Sequence, residues 1–200
     1  VLISIAAPHH IHWGCARAKR KYADQFPKKW IADCGDPFMK NGNTKEHLQF
    51  FARYEKMFCK ECDYITVPIE NAKEAYYPEF REKIRVIPQG FDFDLSAVGK
   101  PYVKNTVPTF AFAGMFYVDI RNPRKLLDYL CSVKQDFRFY VYTRFDALLV
   151  DYVEKMQGKL IVKKLIPRSD LLEILKSMDF LVNIKNANSP NQLPSKLIDY

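Results

Sequence analysis

The sequence lacks any long apolar run and any charged-then-apolar leader. Roughly 18 to 20 consecutive apolar residues are needed to span a bilayer, and no run among these 200 residues approaches that length. A secretory leader would start with positive charge and end in small residues at a cleavage site, and no such segment is present. We therefore expect a cytoplasmic protein.

Two nucleotide-binding fingerprints are also missing. Neither G-x-G-x-x-G nor G-x-x-x-x-G-K-[ST] occurs, which argues against a dinucleotide-dependent dehydrogenase and against a P-loop NTPase. The five cysteines are odd in number and irregularly spaced, which favours free thiols in a reducing compartment. Cys59 and Cys62 have C-x-x-C spacing, but no second close pair completes four ligands, so we expect no metal or redox site there.

The charge is basic without being extreme. The formal net charge is +8, with +3 over residues 1–100 and +5 over residues 101–200. This balance favours a polyanion, an anionic lipid or a phosphate-bearing ligand as partner. The basic run 17–22, 'RAKRKY', suits anionic lipid or nucleic acid, or it is a solvated helix face. We do not expect nucleic acid to be the main partner.

Short β-rich runs alternate with helical patterns along the whole chain, as in βαβ units on a parallel sheet. Residues 89–107 lack both periodicities and contain two glycines and a proline, which predicts a linker. We expect an α/β protein with two Rossmann-like parallel-sheet domains, 1–88 and 108–200. The chain opens on Val1 in an apolar run typical of a buried strand, so we expect a fragment that is cut at both ends.

Ligands of open parallel sheets bind beyond the carboxyl ends of the strands, and the loops predicted there hold unusual residues. His9 and its neighbour His10 follow the first strand, and Asp36 follows the second. These side chains, with Asp92, are candidates for binding a ligand. A helix-capping role for the histidines and a turn-shaping role for Asp36 are the alternatives.

The stretch 191–200, 'NQLPSKLIDY', predicts a phosphate site. Pro194 suits the first position of a helix, which leaves the N–H groups of Ser195 and Lys196 free beside a hydroxyl and an ammonium. Asp199 lies one turn further on the same side, where a carboxylate can accept hydrogen bonds from ribose hydroxyls. A nucleotide would satisfy both groups; a proline-started surface helix with incidental charges is the alternative.

Arg121 is a second candidate cation. It follows Gly114 by seven residues, in a loop between a predicted strand and a helix that Asn122 caps and Pro123 opens. A fixed, bidentate guanidinium there suits a diphosphate leaving group, although exposed arginines before helices are common.

At these residues the sequence resembles the nucleotide-sugar-dependent glycosyltransferases of the GT-B fold, in particular the retaining family 4 type. The resemblance rests on four segments in the family's order: 'IADCGDPF', 'RVIPQGFD', 'FAFAGMFYVDIRNP' and 'DFLVNIKNANSPNQLPSKLIDY'. It implies that 1–88 is the later part of an acceptor-side domain and 108–200 the earlier part of a donor-side domain, both incomplete, with the donor in the cleft between them.

The resemblance also implies roles for single residues. Gly114 would let the backbone approach the donor phosphates, and Arg121 would take the basic place of the glycine loop. Ser195 and Lys196 would hold the diphosphate, while Asp199 would hold the ribose as the second acid of the family's E-x7-E pattern.

The resemblance also implies a role for one further segment, and the sequence departs from the family pattern at two positions. The turn Leu165 to Pro167, which contains Ile166, looks like the segment that meets the base. Asn191 stands where the family has the first acid of E-x7-E, and it can hydrogen-bond sugar hydroxyls without carrying charge. Met115 stands where the family often has arginine directly after the loop glycine. These departures leave donor binding intact and put turnover in doubt.

We therefore expect a metal-independent glycosyltransferase without a resident cofactor, whose donor is a UDP- or GDP-linked sugar. Arg121 and Lys196 would stabilise the departing diphosphate, with His9 and Asp36 on the acceptor side. The acceptor would be a glycan or a lipid-linked saccharide, reached by peripheral contact with the inner membrane face, and the resemblance implies retention of configuration. The alternatives are a non-catalytic GT-B-like binding protein and, more distantly, a basic Rossmann-like nucleic-acid binder, whose binding would depend steeply on salt.

Overall fold

The computed structural model describes residues 1–40, 49–90, 102–187, 194 and 196–200. The chain divides into two compact units. Unit 1 contains the described residues up to Gly90, and unit 2 contains the described residues from 102 onwards. Each unit is built on its own four-stranded parallel sheet.

Unit 1 alternates strands with helices and with short 3-10 segments. Its strands are β1 (Leu2–Ala6), β2 (Trp30–Cys34), β3 (Tyr64–Val67) and β4 (Ile84–Val86), and its α-helices are α1 (His10–Lys21) and α2 (Ala52–Glu61). The 3-10 segments are Ala23–Gln25, Gln49–Phe51, Glu70–Ala75 and Pro78–Lys83. The strands lie in sequence order, and every neighbouring pair is parallel.

Large apolar side chains fill the core of unit 1. Trp30, Phe58 and Ile65 are fully buried among the helices and strands, since the strands of a parallel sheet are apolar on both faces. The first strand departs from this pattern. We predicted a buried strand there, but Ile3 and Ile5 are 58% and 60% exposed. Successive side chains of a strand point to opposite faces of the sheet, and α1 packs on the face of β1 that carries Ser4, where Ser4 meets His12.

Unit 2 repeats the alternation. Its strands are β5 (Thr109–Ala113), β6 (Arg138–Tyr142), β7 (Leu160–Lys163) and β8 (Phe180–Leu181), and its helices are α3 (Arg124–Ser132), α4 (Val150–Lys155), α5 (Arg168–Leu175) and α6 (Lys196–Asp199). The parallel sheet has the order β7-β6-β5-β8. The direction of strand succession therefore reverses between β5 and β8, which makes this point a topological switch point.

The carboxylate of Asp179 accepts several hydrogen bonds from the segment that leads into unit 2. Asp179, directly before β8, accepts the Tyr102 hydroxyl, the Asn105 N–H and the Thr109 N–H. These hydrogen bonds, with that of Tyr102 first, lower the pKa of Asp179 to about 2. The segment that leads into β5 is thus attached to the residue that leads into β8.

The predicted elements are present, some of them with shifted bounds. The sequence pattern predicts a strand at residues 30–34 and helices near 45–60 and 146–157. β2 has the predicted bounds, α2 occupies Ala52–Glu61 after the 3-10 segment Gln49–Phe51, and α4 is confined to Val150–Lys155. Residues 45–48 of the first predicted helix lie outside the described residues. The domain limits at 88 and 108 remain predictions, since 91–101 of the linker lie outside the described residues. No helix in the described ranges is long and apolar enough to cross a membrane.

Candidate functional site

The candidate site lies in unit 2, where the loops after β5 and β8 begin. Gly114 follows β5 directly, Arg121 lies further along the same loop, and Lys196 opens α6. β5 and β8 are neighbours in the sheet, so both loops leave from the carboxyl edge at the switch point. Ligands of open α/β sheets bind at this place.

Lys196 is unusual because its ammonium is buried. Its Nζ atom lies 3.9 Å from the centroid of the Phe112 ring, and within the described part of the chain it has no hydrogen-bond partner. Burial, and secondarily the charge of Arg121, lower the pKa of Lys196 to about 8. A buried cation without a hydrogen-bonded partner is unfavourable, so this ammonium is suited to an anionic ligand.

Gly114 makes room for that ammonium. Its φ is +137°, a conformation that L side chains rarely adopt. A Cβ atom at this position would lie 2.5 Å from Lys196 Nζ and 2.8 Å from Lys196 Cε. The backbone turn after β5 therefore requires glycine, and a side chain at this position would also displace the end of the lysine.

The loop after β5 folds back on itself to present Arg121. Tyr117 and Arg121 exchange two backbone hydrogen bonds, of 3.1 and 2.9 Å. The guanidinium donates from Nε and Nη2 to Asn186 Oδ1 and from Nη1 to the Met115 carbonyl. Burial lowers the pKa of Arg121, but a guanidinium stays protonated at neutral pH.

The helix after Arg121 begins one residue later than we predicted. Asn122 Oδ1 accepts the Arg124 N–H at 2.9 Å, and Asn122 Nδ2 donates to the Val118 carbonyl. Pro123 is the cap residue, and α3 starts at Arg124. Asn122 thus lies one residue before the cap position, but its side chain still accepts the first N–H of α3 and also closes the loop that carries Arg121.

The structure brings together Gly114, Arg121 and Lys196. Ile166 lies at the same edge of the sheet but beyond β7, which is separated from β5 by β6. Ser195, Asn191 and the side chain of Asp199 fall outside the described residues. Their predicted roles stay predictions.

Three contributors to the site could not be recognised from the sequence pattern. Phe112 forms the surface beneath the Lys196 ammonium, Asn186 holds the Arg121 guanidinium, and the Tyr200 hydroxyl receives a hydrogen bond from the Ala113 N–H at 3.4 Å. Each lies far along the chain from its partner. For Asn186 the sequence offered one signal, which is that a polar residue follows a predicted strand by a few positions.

In unit 1, the predicted acceptor-side residues follow two paired strands. His9 stands between β1 and α1, and Asp36 follows β2, which pairs with β1 up to the Ala6–Cys34 register. The His9 ring lies 5.3 Å from that of Phe38, so the two loops meet. Asp36 is exposed. Asp92 falls outside the described residues.

His12, by contrast, belongs to the core. It is fully buried, and burial first, then the charge of His9, lower its pKa to about 4. Its Nδ1 lies 2.8 Å from Ser4 Oγ, which also accepts the Trp30 Nε1–H at 2.7 Å. On the other side, Nε2 lies 3.5 Å from Cys34 Sγ. This neutral, enclosed imidazole is a packing element and not a candidate base.

A buried carboxylate supports the loop that carries Asp36. Glu55, fully buried in α2, accepts the Met39 N–H at 3.2 Å and the Tyr77 hydroxyl at 2.9 Å. Burial raises the pKa of Glu55, against the lowering effect of these hydrogen bonds. The segment after β2 is thereby attached to a helix in the core.

Other features of the described residues do not compete with this site. No group of three or more His, Cys, Asp or Glu side chains there could hold a metal ion, and Cys59 and Cys62 are buried free thiols whose pKa values are raised by burial. Two cavities of about 420 and 400 Å³ lie around α3 and the amino end of β6. Those cavities are at the opposite edge of the sheet from Gly114.

Three solved structures resemble this chain over most of its length. The apo form of the lipopolysaccharide outer core galactosyltransferase WaaB matches 98% of this chain and 53% of its own, with a TM-score of 0.64 and 13% identity. A glycosyltransferase from Rickettsia africae ESF-5 matches 92% and 52%, with a TM-score of 0.62 and 16% identity. Anabaena HepE, solved in complex with UDP, matches 90% and 52%, with a TM-score of 0.63 and 11% identity.

This chain therefore spans about half the length of each of these proteins. No protein-family model matches the sequence, and no curated protein matches it. At identities of 11 to 16%, the likeness establishes the fold. The chain has an α/β fold with two Rossmann-like parallel sheets of the GT-B-like type, as the sequence predicted.

Proposed function

We propose that this protein is a glycosyltransferase that takes a sugar from a UDP- or GDP-linked donor and transfers it to a glycan or a lipid-linked acceptor. The observation that carries the proposal is the meeting of two cations, the half-buried Arg121 and the buried ammonium of Lys196, at the switch point of the second sheet. Neither forms an ion pair with a carboxylate among the described residues. The similar folds of WaaB, the Rickettsia enzyme and UDP-bound HepE support the same reading.

The chemistry follows from charge. When the bond between the anomeric carbon and the diphosphate breaks, negative charge develops on the leaving oxygen. Cations that are fixed in place before the reaction stabilise that charge without reorganising. Gly114 lets the donor phosphates approach the backbone, and Arg121 and Lys196 bind them, so the proposal requires no metal ion and no resident cofactor.

The finer parts of the proposal rest on the resemblance to retaining family 4 enzymes. They include retention of configuration, Ser195 and Lys196 on the diphosphate, Asp199 on the ribose, Asn191 on the sugar and Ile166 against the base. They also include His9 and Asp36 on the acceptor side. The net charge of +8 favours an acceptor at an anionic surface such as the inner membrane face.

The test is calorimetric titration of the purified protein with UDP, GDP and their sugar conjugates. We expect one nucleoside diphosphate to bind, and we expect Arg121→Ala or Lys196→Ala to weaken it tenfold or more, which is about 1.4 kcal/mol. Arg138→Ala and Lys134→Ala are matched controls. They remove the same charges at the amino end of β6, opposite the site, and should change affinity less than twofold.

A folded protein that binds none of these nucleotides would overturn the proposal. Donor binding without any release of nucleoside diphosphate from the sugar conjugates would instead favour a non-catalytic nucleotide-sugar-binding protein. Met115, where the family often has a second arginine, is the observation that favours this alternative: only its carbonyl contacts Arg121.

A further inference from the structure

Arg121 is held by an amide oxygen rather than by a carboxylate. Its Nε and Nη2 atoms lie 2.9 and 2.6 Å from Asn186 Oδ1, and its Nη1 atom lies 3.3 Å from the Met115 carbonyl. Three of the five guanidinium N–H groups are thereby engaged. The remaining two have no partner among the described residues, and two N–H groups suffice for a bidentate contact with a phosphate.

The neutrality of the acceptor decides how much charge reaches a ligand. A carboxylate at position 186 would form a close ion pair with Arg121 and cancel most of its field. The amide oxygen also orients the guanidinium, through two N–H groups, but leaves its full positive charge in place. The charge of Arg121 also affects the neighbouring lysine, because it contributes to lowering the pKa of Lys196.

Asn186 is itself held in place by the backbone. The next residue, Ala187, donates its N–H to the Ile120 carbonyl at 2.6 Å. This hydrogen bond connects the loop after β8 to the loop after β5 at Ile120, the residue that precedes Arg121. The amide oxygen and the guanidinium are therefore positioned by adjacent residues of two connected loops.

We propose that Asn186 is a positioning residue that directs the Arg121 guanidinium at the ligand without neutralising it, so that the site selects two adjacent phosphates over one. The inference rests on the proposed function, since it assumes that a nucleoside diphosphate binds at Arg121 and Lys196. It adds a determinant of charge selectivity that lies outside the predicted phosphate-binding residues.

The test compares Asn186→Asp with Asn186→Ala by titration with UDP and UMP, or with GDP and GMP if the guanine nucleotide binds. We expect Asn186→Asp to weaken the diphosphate at least tenfold and to bring the diphosphate-to-monophosphate affinity ratio close to one. Asn186→Ala should weaken the diphosphate less, because Arg121 loses its orientation but keeps its charge. A merely structural role would lower both affinities together and leave their ratio unchanged.

Asn122→Asp is the matched control. It places the same charge one residue from Arg121, on a side chain whose hydrogen bonds go to Val118 and Arg124 instead of the guanidinium. It should leave the affinity ratio within twofold of the unsubstituted protein. Thermal unfolding of every variant separates loss of fold from loss of binding, and Asn186→Ala still tests the proposal if Asn186→Asp does not fold.

The outcomes separate the two proposals. If Arg121→Ala weakens the diphosphate while Asn186→Asp and Asn186→Ala leave the ratio unchanged, the role of Asn186 is wrong and the donor site stands. If Arg121→Ala and Lys196→Ala have no effect on binding, the donor site itself is wrong, and the role of Asn186 falls with it.

Discussion

The ammonium of Lys196 lies over the face of Phe112, with 3.9 Å between Nζ and the ring centroid. The negative face of an aromatic ring attracts a cation, and this attraction partly compensates the burial of a charge that has no hydrogen-bonded partner among the described residues. Compensation is incomplete, because the pKa of Lys196 still falls from 10.5 to about 8. The lysine therefore titrates close to neutral pH.

Nucleotide binding should weaken as the pH rises above neutral. An anionic ligand binds best to the protonated lysine, so affinity for the nucleoside diphosphate should fall as the pH rises from 7 through about 8. Arg121 stays charged over this range. Calorimetry between pH 7 and 9.5 should reveal the fall, and Lys196→Arg should flatten it. An unchanged profile in Lys196→Arg would assign the titration to another group.

The same shift predicts how stability responds to pH. Below pH 8 both the folded and the unfolded chains hold the Lys196 proton. Between about 8 and 10.5 the folded chain has lost it while the unfolded chain retains it, so this group should raise the free energy of unfolding as the pH rises. Urea unfolding at pH 7.5 and 9.5 should show a smaller increase for Lys196→Met than for the unsubstituted protein.

Two glycine-to-alanine substitutions should separate the effect of backbone strain from the effect of a steric contact with Lys196. Gly114→Ala strains the backbone and also places a Cβ atom 2.5 Å from Lys196 Nζ, so we expect lower stability and at least tenfold weaker nucleotide binding. Gly158→Ala is a control with the same kind of strain, since its φ is +86° but nothing lies within 4 Å of the added Cβ. It should reduce stability and leave affinity unchanged. Equal losses of affinity in both variants would contradict the steric argument.

Burial of Glu55 predicts that the free energy of unfolding changes with pH. Because burial raises the pKa of Glu55 above 4.5, the folded chain keeps this proton to higher pH than the unfolded chain. The contribution of Glu55 is therefore fully present below pH 4.5 and decreases as the pH rises through the folded pKa. Glu55→Gln should flatten the pH dependence of urea unfolding above pH 4.5, whereas Glu74→Gln, at an exposed ion pair with Arg81, should leave it as it is.

The Ser4 hydroxyl should matter more than its size suggests. Ser4→Ala removes the acceptor of the Trp30 Nε1–H and the partner of His12 Nδ1, and leaves two buried polar groups without hydrogen bonds. Each such group costs about 1 to 3 kcal/mol, so we expect the free energy of unfolding to fall by about 2 kcal/mol or more. Ser132→Ala, at an exposed serine of α3, should change it by less than about 0.5 kcal/mol. Near-equal effects would show that the Ser4 network is not stabilising.

Local signals made much of the fold predictable. The strand 'WIADC' was predicted with its observed bounds, since an apolar run between a lysine pair and a Gly-Asp turn leaves little ambiguity. The hydrogen bond of Asn122 at the start of α3 was also predictable because it involves only neighbouring residues. Helix starts were less so: within the predicted helix 45–60, residues 49–51 form a 3-10 turn that has no separate sequence signal, and residues 45–48 lie outside the described residues.

The site was predictable only in part, for a different reason. Parallel-sheet topology placed Gly114, Arg121 and Lys196 on loops of one edge, and this required only the order of strands. Asn186 and Phe112 act through contacts with residues 65 and more positions away. Such pairings depend on how the loops fold back, which no periodicity in the sequence encodes.

β5 and β8 are neighbours in the sheet but distant in sequence, so the order in which the strands assemble affects when the site forms. Phe110 pairs with Phe180, and the Thr109 N–H meets Asp179 across 70 residues of chain. Contacts between such distant segments form late, because a long loop must be closed before they are made. β6 and β7 can join β5 while Lys196 is still absent from the sheet edge. We therefore expect Arg121 and Lys196 to meet late in folding, and a ligand that bridged them would protect a two-residue strand from opening.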